Sequence, residues 1–373
     1  MNASIILGSQ FGDEGKGKTT DFLCTQSLSK KQETIVVRFS GGQQAGHNVK
    51  VGDISHVHSN FGSGTLSGVP SFFSEHCTIY PTTIHREKLV LEEKGITPTL
   101  YLHPLAKVTT PFDVAYNKLT EKKNNHGSCG LGIAATMKRN LETGHKLFAI
   151  DLCNRKLLFK KLINIQKYYY DLIKNQEDHQ MFNDFENEDF RDFLFSLDEL
   201  EFQVKGYDFL KNYESIIFEG SQGILLDMDH GTFPNVTFAN TTSKNALEIC
   251  KKLEIDKSNI DIYYTTRCYQ TRHGNGWMSN ENPIKLINTN NEINVYNEWQ
   301  KNFKVREIDY ELINYALDVD NIYSDGYNKH LLITCLDQRP NFVFDYEKMT
   351  TNFKSILLSA SPESIYFNKD IYL

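Results

Sequence analysis

Short runs of β-branched and aromatic residues, each bounded by turn formers, recur along the chain at 4–7, 35–39, 215–218, 260–265, 331–336 and 355–358. Runs of this length and make-up predict buried strands, because a strand covered on both faces needs no polar alternation. Between them, the stretches 17–29, 242–253 and 309–317 read as helices. Strands alternating with helices predict an α/β fold around a largely parallel sheet.

The stretch 154–212 departs from this rhythm. It is rich in Lys, Glu, Asp, Phe and Leu, with little glycine and no proline. An apolar stripe through Leu157, Leu158, Leu162 and Ile165 sits at roughly helical spacing, which predicts a helical excursion packed on the sheet, with no chemistry of its own. No internal repeat and no Gly/Ser/Pro-rich linker divides the chain, so 1–373 is read as one domain.

Composition narrows the class. With 40% hydrophobic and 23% charged residues the chain is ordinarily globular, and wholesale disorder is excluded. A net charge of −7 with both signs interspersed argues against a nucleic-acid coat or a polybasic membrane binder. The seven cysteines (Cys24, Cys77, Cys129, Cys153, Cys250, Cys268, Cys335) form no Cys-x-x-Cys pair, which points to a reduced, cytoplasmic setting. The apolar run at the amino terminus is too short for a signal peptide, and nowhere do eighteen apolar residues run together.

The strongest local signal is Gly8-Ser9-Gln10-Phe11-Gly12-Asp13-Glu14-Gly15-Lys16-Gly17-Lys18-Thr19, between an expected strand and an expected helix. Glycines let backbone N–H groups approach phosphates closely, and lysines with the positive end of the next helix hold the charge. Gly12 to Thr19 fits the Walker pattern Gly-x4-Gly-Lys-Ser/Thr. A plain phosphate cradle does not explain Asp13-Glu14. A carboxylate beside phosphate is repelled unless it binds a metal or handles a proton.

Five ordered blocks make the chain similar to the adenylosuccinate synthetase family. The phosphate loop is followed by Gly41-Gly42-Gln43-Gln44-Ala45-Gly46-His47. A third block runs Phe218-Glu219-Gly220-Ser221-Gln222-Gly223 and on through Leu226-Asp227-Met228-Asp229-His230-Gly231-Thr232 to Thr237. Then come Thr265-Thr266-Arg267 through His273-Gly274-Asn275-Gly276, and finally Thr334-Cys335-Leu336-Asp337. The resemblance implies one large α/β domain with a twisted, mostly parallel central sheet and flanking helices, usually forming a homodimer. It also implies a reaction in which GTP, IMP and L-aspartate give GDP, phosphate and adenylosuccinate, with Mg2+. Elementary chemistry agrees: a purine 6-oxo group is a poor leaving group, and phosphorylation makes it a good one.

By resemblance, Asp13 takes the purine N1 proton and contacts magnesium, to which Gly46 offers its carbonyl. His47 donates to the leaving phosphate oxygens, and Gln222 hydrogen-bonds the 6-oxygen region. The triphosphate is held by Gly12, Glu14, Gly15, Lys16, Gly17, Lys18, Gly46 and His47. Asp337 reads its base, since a carboxylate accepts two hydrogen bonds from guanine and meets adenine N1 repulsively. Gln44, Ser128, Cys129 and Thr237 fall around the purine monophosphate. Arg139 is either a solvated surface arginine or the guanidinium that reaches into the partner subunit's phosphate site. Lys304 and Arg306 fall where the family binds the amino acid.

The chain departs from the family pattern at several of these places. Gln43-Gln44 replaces His-Asn, Cys129 stands for threonine, and Cys335 stands for the lysine two residues before the base-reading aspartate. The amino-acid loop 298–306 is shorter and poorer in arginine, and the stretch after Asp337 is compact. Short members of the family that the chain resembles include archaeal synthetases and a phage-type branch acting on GMP or dGMP, the latter similar at Thr271-Arg272-His273-Gly274 but with serine for the loop aspartate. Asp13 therefore favours IMP over GMP or dGMP. The altered 298–306 loop also leaves open a GTPase-like regulatory module without ligase chemistry.

Overall fold

The first apolar run forms the strand Asn2–Gly8, which lies in the middle of a ten-stranded sheet. The computed structural model describes residues 1–124, 130–174, 188–274, 276–287, 303–362 and 364–367. From edge to edge the strands are Ser364–Phe367, Ser355–Ser361, Asn328–Thr334, Ile260–Arg267, Asn2–Gly8, Ser215–Glu219, Thr34–Arg38, Ser71–Phe73, Leu100–Leu102 and Gln203–Val204. Every neighbouring pair is parallel except the first, which is antiparallel.

Alternation along the central strands sends side chains into two apolar layers. Ile5, Leu7, Ile35, Val37, Ile216 and Phe218 belong to one, whereas Ile6, Val36 and Ile217 pack on the other against Leu23 and Cys24 of the helix Lys16–Ser29. Both faces are dry, which is why these strands read as unbroken apolar runs. Burying each such side chain contributes about 1.5–3 kcal/mol.

All six expected strands form. The three at the far edge, Ser71–Phe73, Leu100–Leu102 and Gln203–Val204, are two or three residues long and carry no periodic pattern of their own. Pairing with the preceding strand makes them, not propensity.

The described residues of the excursion 154–212 are mostly helical, with one correction: Gln203–Val204 joins the sheet as its last strand. The helix Arg155–Ile173 is capped by Asn154, whose side chain accepts from the Leu157 N–H at 3.0 Å. Leu158, Leu162, Ile165, Tyr169 and Ile173 are buried, while Leu157 is 40% exposed and lies off the stripe. With the helix Glu188–Glu199, this face closes a second apolar core around Phe61, Ile79, Leu102 and Phe112. Among the described residues, two antiparallel strand pairs stand apart from the sheet, the hairpin His47–Val51 with Ile54–His58 and the pair Gln270–His273 with Phe303–Arg306. Among the described residues, no helix is long and apolar enough to cross a membrane.

Candidate active site

The phosphate loop leaves the carboxyl end of the central strand and turns into the helix Lys16–Ser29 at Gly15. Gly12 (φ 98°), Asp13 (φ 58°) and Gly15 (φ 95°) are all left-handed, a conformation that glycine adopts freely and aspartate tolerates. A Cβ on Gly8 would lie 1.9 Å from Glu14 Oε2 and 2.7 Å from the Gln222 carbonyl, so the loop folds tightly on itself and on the third block. Side chains from distant segments hold its carbonyls: Thr271 Oγ1 donates to Gly12 (3.0 Å), Thr334 Oγ1 to Glu14 (3.0 Å) and Arg267 Nε to Asp13.

A cleft of about 680 Å³ opens above the carboxyl ends of the strands, where an open α/β sheet places its ligands. Gly12, Asp13, Glu14, Gly15, Lys16, Gly17 and Lys18 line it, together with Gln44, Gly46, His47, Gln222, Thr237 and Asp337. Thirteen of the residues singled out from the sequence, drawn from four of the five blocks, thus meet in one cavity.

Charge within the cleft is finely set. Burial opposes ionisation of Asp13, but the His273 ring, 3.3 Å from Oδ2, with Arg267 and Lys16 outweighs it and holds the carboxyl below its usual range. Burial pushes the Glu14 carboxyl up to about 7 despite Lys16. Burial also draws the Lys16 ammonium down, against the pull of Glu14, Asp13 and Glu219.

His47 Nδ1 lies 2.6 Å from Glu219 Oε1, and Glu219 also accepts from the Ser63 N–H (3.1 Å) and hydroxyl. Although burial opposes it, His47, Arg38 and Ser63 hold the Glu219 carboxyl down to about 2. An ionised Glu219 fixes the proton on His47 Nδ1, which leaves Nε2 to act in the cleft. A Cβ on Gly17 would sit 2.6 Å from His47 Cβ, so helix and histidine pack without space for any larger residue. Both amide atoms of Gln44 and Gln222 Oε1 are buried without a hydrogen-bond partner. Polar atoms left so in a cleft are available to a ligand or to water.

The remaining expected residues fall differently. Lys18 lines the cleft, but its Nζ donates to Ser364 O (2.8 Å), Ser361 O and Ser359 Oγ of the carboxy-terminal strand pair. Asp337 sits on the turn Leu336–Gln338 after left-handed Cys335 and accepts from Gln338 Nε2 at 3.1 Å. Lys304 and Arg306 lie on the strand Phe303–Arg306 and flank the cleft without lining it. Lys304 pairs in register with Arg272 and donates to Gly276 O at 2.6 Å. Ser128, Cys129 and the loop residues 298–302 lie outside the described residues.

Arg139 requires a correction. It is 1% exposed, and its Nε and Nη2 hold Asp113 at 2.8 and 2.9 Å while Nη2 and Nη1 donate to Val108 O and His145 O. Asp113 also accepts from Tyr169 Oη and the Thr110 N–H, so the pair ties three helices together. The guanidinium is therefore neither a surface charge nor free to reach another subunit. Arg139→Met is expected to lower unfolding free energy by about 3–5 kcal/mol, by leaving Asp113 buried and unpaired. Chemical denaturation would show this, with nucleotide affinity unchanged in the folded fraction.

Several site residues had no assigned role in the sequence: Glu219 and Ser63 behind His47, and Arg267, Arg272 and His273 beside the loop. Arg272 is 2% exposed, stacks 4.3 Å over Phe11 and donates to Trp277 O (2.5 Å) and Asn235 O (2.8 Å). Burial brings its guanidinium down to about 10. All but Ser63 lie inside the third and fourth blocks, so block membership was the available signal.

The adenylosuccinate synthetase family model matches residues 5–337. The chain is 32% identical to the adenylosuccinate synthetase of Clostridium botulinum (strain Alaska E43) over 289 residues, 74% of this chain and 65% of that one. It is 34% identical to that of Trichodesmium erythraeum over 292 residues, 73% of this chain and 62% of the relative. It thus spans somewhat less than two thirds of the relatives it matches. In fold it is similar to the fully ligated Plasmodium falciparum adenylosuccinate synthetase (TM-score 0.66, 20% identity, 96% of this chain and 79% of that chain). It is also similar to the cyanophage S-2L succinoaminodeoxyadenylate synthetase bound to dGMP and dATP (TM-score 0.64, 14% identity, 98% and 95%). The family model runs from the central strand to the aspartate at the cleft's far wall, and with the fold in common the chain belongs to the adenylosuccinate synthetase family.

Proposed function

We propose that the chain is a GTP-dependent ligase that phosphorylates the 6-oxygen of IMP and lets L-aspartate displace that phosphate, giving adenylosuccinate. The observation that carries this reading is Asp13: a carboxylate kept ionised within a glycine–lysine loop, in the same cleft as Gln222 and His47. An ionised acid there accepts the purine N1 proton, which makes O6 nucleophilic. Gln222, with its amide oxygen unpartnered, holds the purine edge. His47 acts from Nε2, which donates only when the ring is doubly protonated, since Glu219 already holds the Nδ1 proton. The arriving triphosphate and Glu219 favour that form, and burial opposes it.

Asp13 and Gly46 both line the cleft, and a carboxylate and a backbone carbonyl are oxygen donors of the kind magnesium takes, so these residues fit the ion. Bound there, Mg2+ would neutralise charge on the triphosphate oxygens. Asp337 reads guanine, Gln44 and Thr237 hold the purine monophosphate, and Lys304 and Arg306 with their neighbour Arg272 favour a dicarboxylate amino acid. A cytoplasmic homodimer belongs to this reading through the family alone.

A second reading, GMP or dGMP as acceptor, is supported by the fold shared with the cyanophage enzyme over 95% of that chain. Asp13 and the names of the relatives weigh for IMP. The test is direct: GTP, Mg2+ and aspartate are incubated with IMP, GMP or dGMP separately, following phosphate release and the product spectrum. Turnover with IMP is expected. Turnover with GMP or dGMP alone would transfer the assignment, and phosphate release without any purine monophosphate would mark a GTPase-like module. In the same assay Asp337→Asn is expected to move the GTP/ATP ratio toward ATP by about tenfold or more, because one acceptor becomes a donor. An unchanged ratio would place base recognition elsewhere.

A further inference from the structure

Outside the cleft, one group among the described residues brings three metal-ligating side chains together: His56, His58 and Glu87. His56 and His58 are two apart on the strand Ile54–His58 and so point to one face of the hairpin. Glu87 comes from the helix Pro81–Glu93 beneath it. The exposures are 6%, 0% and 9%. Both ring nitrogens of His58 are buried without a hydrogen-bond partner. A fully buried imidazole with neither nitrogen satisfied lacks the interaction that ordinarily justifies its place.

We propose that His56, His58 and Glu87 form a site for a divalent zinc-class cation, which clamps the hairpin to the helix. His56 Nε2 lies 3.4 Å and His58 Nδ1 3.9 Å from Glu87 Oε1, and all three ligand atoms lie within 4.8 Å of one another. A tetrahedral ion with bonds of about 2.0–2.1 Å holds its ligands about 3.3 Å apart, so small side-chain shifts complete the set. Two imidazoles and a carboxylate suit zinc or cobalt rather than magnesium. Glu87 is already oriented, since it accepts from the Ser59 and Asn60 N–H groups and from Asn60 Nδ2 (2.7–3.2 Å).

Lys94 opposes the ion. Its Nζ lies 3.0 Å from His56 Nδ1 and donates to Ser55 O at 2.8 Å, so it must swing toward solvent before that nitrogen can carry a proton. The consequence reaches the cleft, because His58 stands opposite His47 in the hairpin register. An ion here would fix the strand that carries His47.

The full-length protein, stripped with a chelator, is titrated with Co2+ and Zn2+ against a chromophoric competitor. One equivalent is expected to bind with a tetrahedral Co2+ visible spectrum and to raise Tm. His56→Ala and His58→Ala should each lose that equivalent, whereas Asp13→Ala, which alters only the cleft, should keep it. Lys94→Met should bind about tenfold more tightly, the effect of removing one nearby like charge. Should the histidine variants fail to fold, X-ray absorption of the zinc-loaded wild type decides, with two imidazole ligands expected. Wild type that binds no equivalent beyond the one Asp13→Ala removes, variants that bind as wild type does, or an absorption spectrum without imidazole would each overturn the proposal.

Discussion

Replacing Asp13 by Asn is expected to lower turnover by about 10²–10⁴-fold, the usual contribution of a positioned general base, while GTP affinity changes by only a few-fold. The amide is nearly isosteric and keeps an acceptor toward His273, so the loop, whose carbonyls are held by Arg267, Thr271 and Thr334, has no reason to rearrange. What disappears is the ionised acceptor that the proposed reaction needs for the purine proton. Single-turnover phosphate release and equilibrium nucleotide binding separate the two quantities. Turnover within tenfold of wild type would remove Asp13 as the base.

The second large effect is expected from Glu219→Gln, which keeps an acceptor for His47 Nδ1 and removes only the charge. The carboxylate favours the doubly protonated imidazole, and burial disfavours it. Without the carboxylate the imidazolium gives up its proton at lower pH. If His47 donates from Nε2, activity requires that proton and falls as pH rises through the histidine's pKa. The basic limb of the pH–rate profile should therefore move down by about one unit or more, with kcat at neutral pH reduced roughly 10–100-fold. A profile that keeps its basic limb would show that His47 donates nothing, or that Glu219 does not govern it.

The sequence disclosed the parts of the site whose meaning is local. A glycine–lysine loop between strand and helix carries its expected role in its spacing, and Gln222 and His47 take their expected roles from the blocks around them; all of them line the one cleft. What it could not disclose was pairing. Nothing near Glu219 in sequence says that it will meet His47, 172 residues away. A guanidinium reads identically whether it will hold a phosphate or, as Arg139 does, an aspartate 26 residues earlier. The same division holds for the fold. Central strands such as Ser215–Glu219 carry enough apolar residues to declare themselves, whereas Leu100–Leu102 exists because Ser71–Phe73 offers it a free edge.

The place of Asn2–Gly8 in the sheet bears on how the protein comes into being. Its two neighbours are contributed by residues 215–219 and 260–265, and the loop that follows it is braced by Thr334, 320 residues beyond Glu14. This strand is thus an orphan until residues 215–219 and 260–265 have also been synthesised. Such high contact order makes assembly slow and leaves this apolar strand in need of shelter meanwhile. On the proposed function, nucleotide capture therefore waits for residue 334, and a chain cut short before it would have the cradle's sequence without its walls.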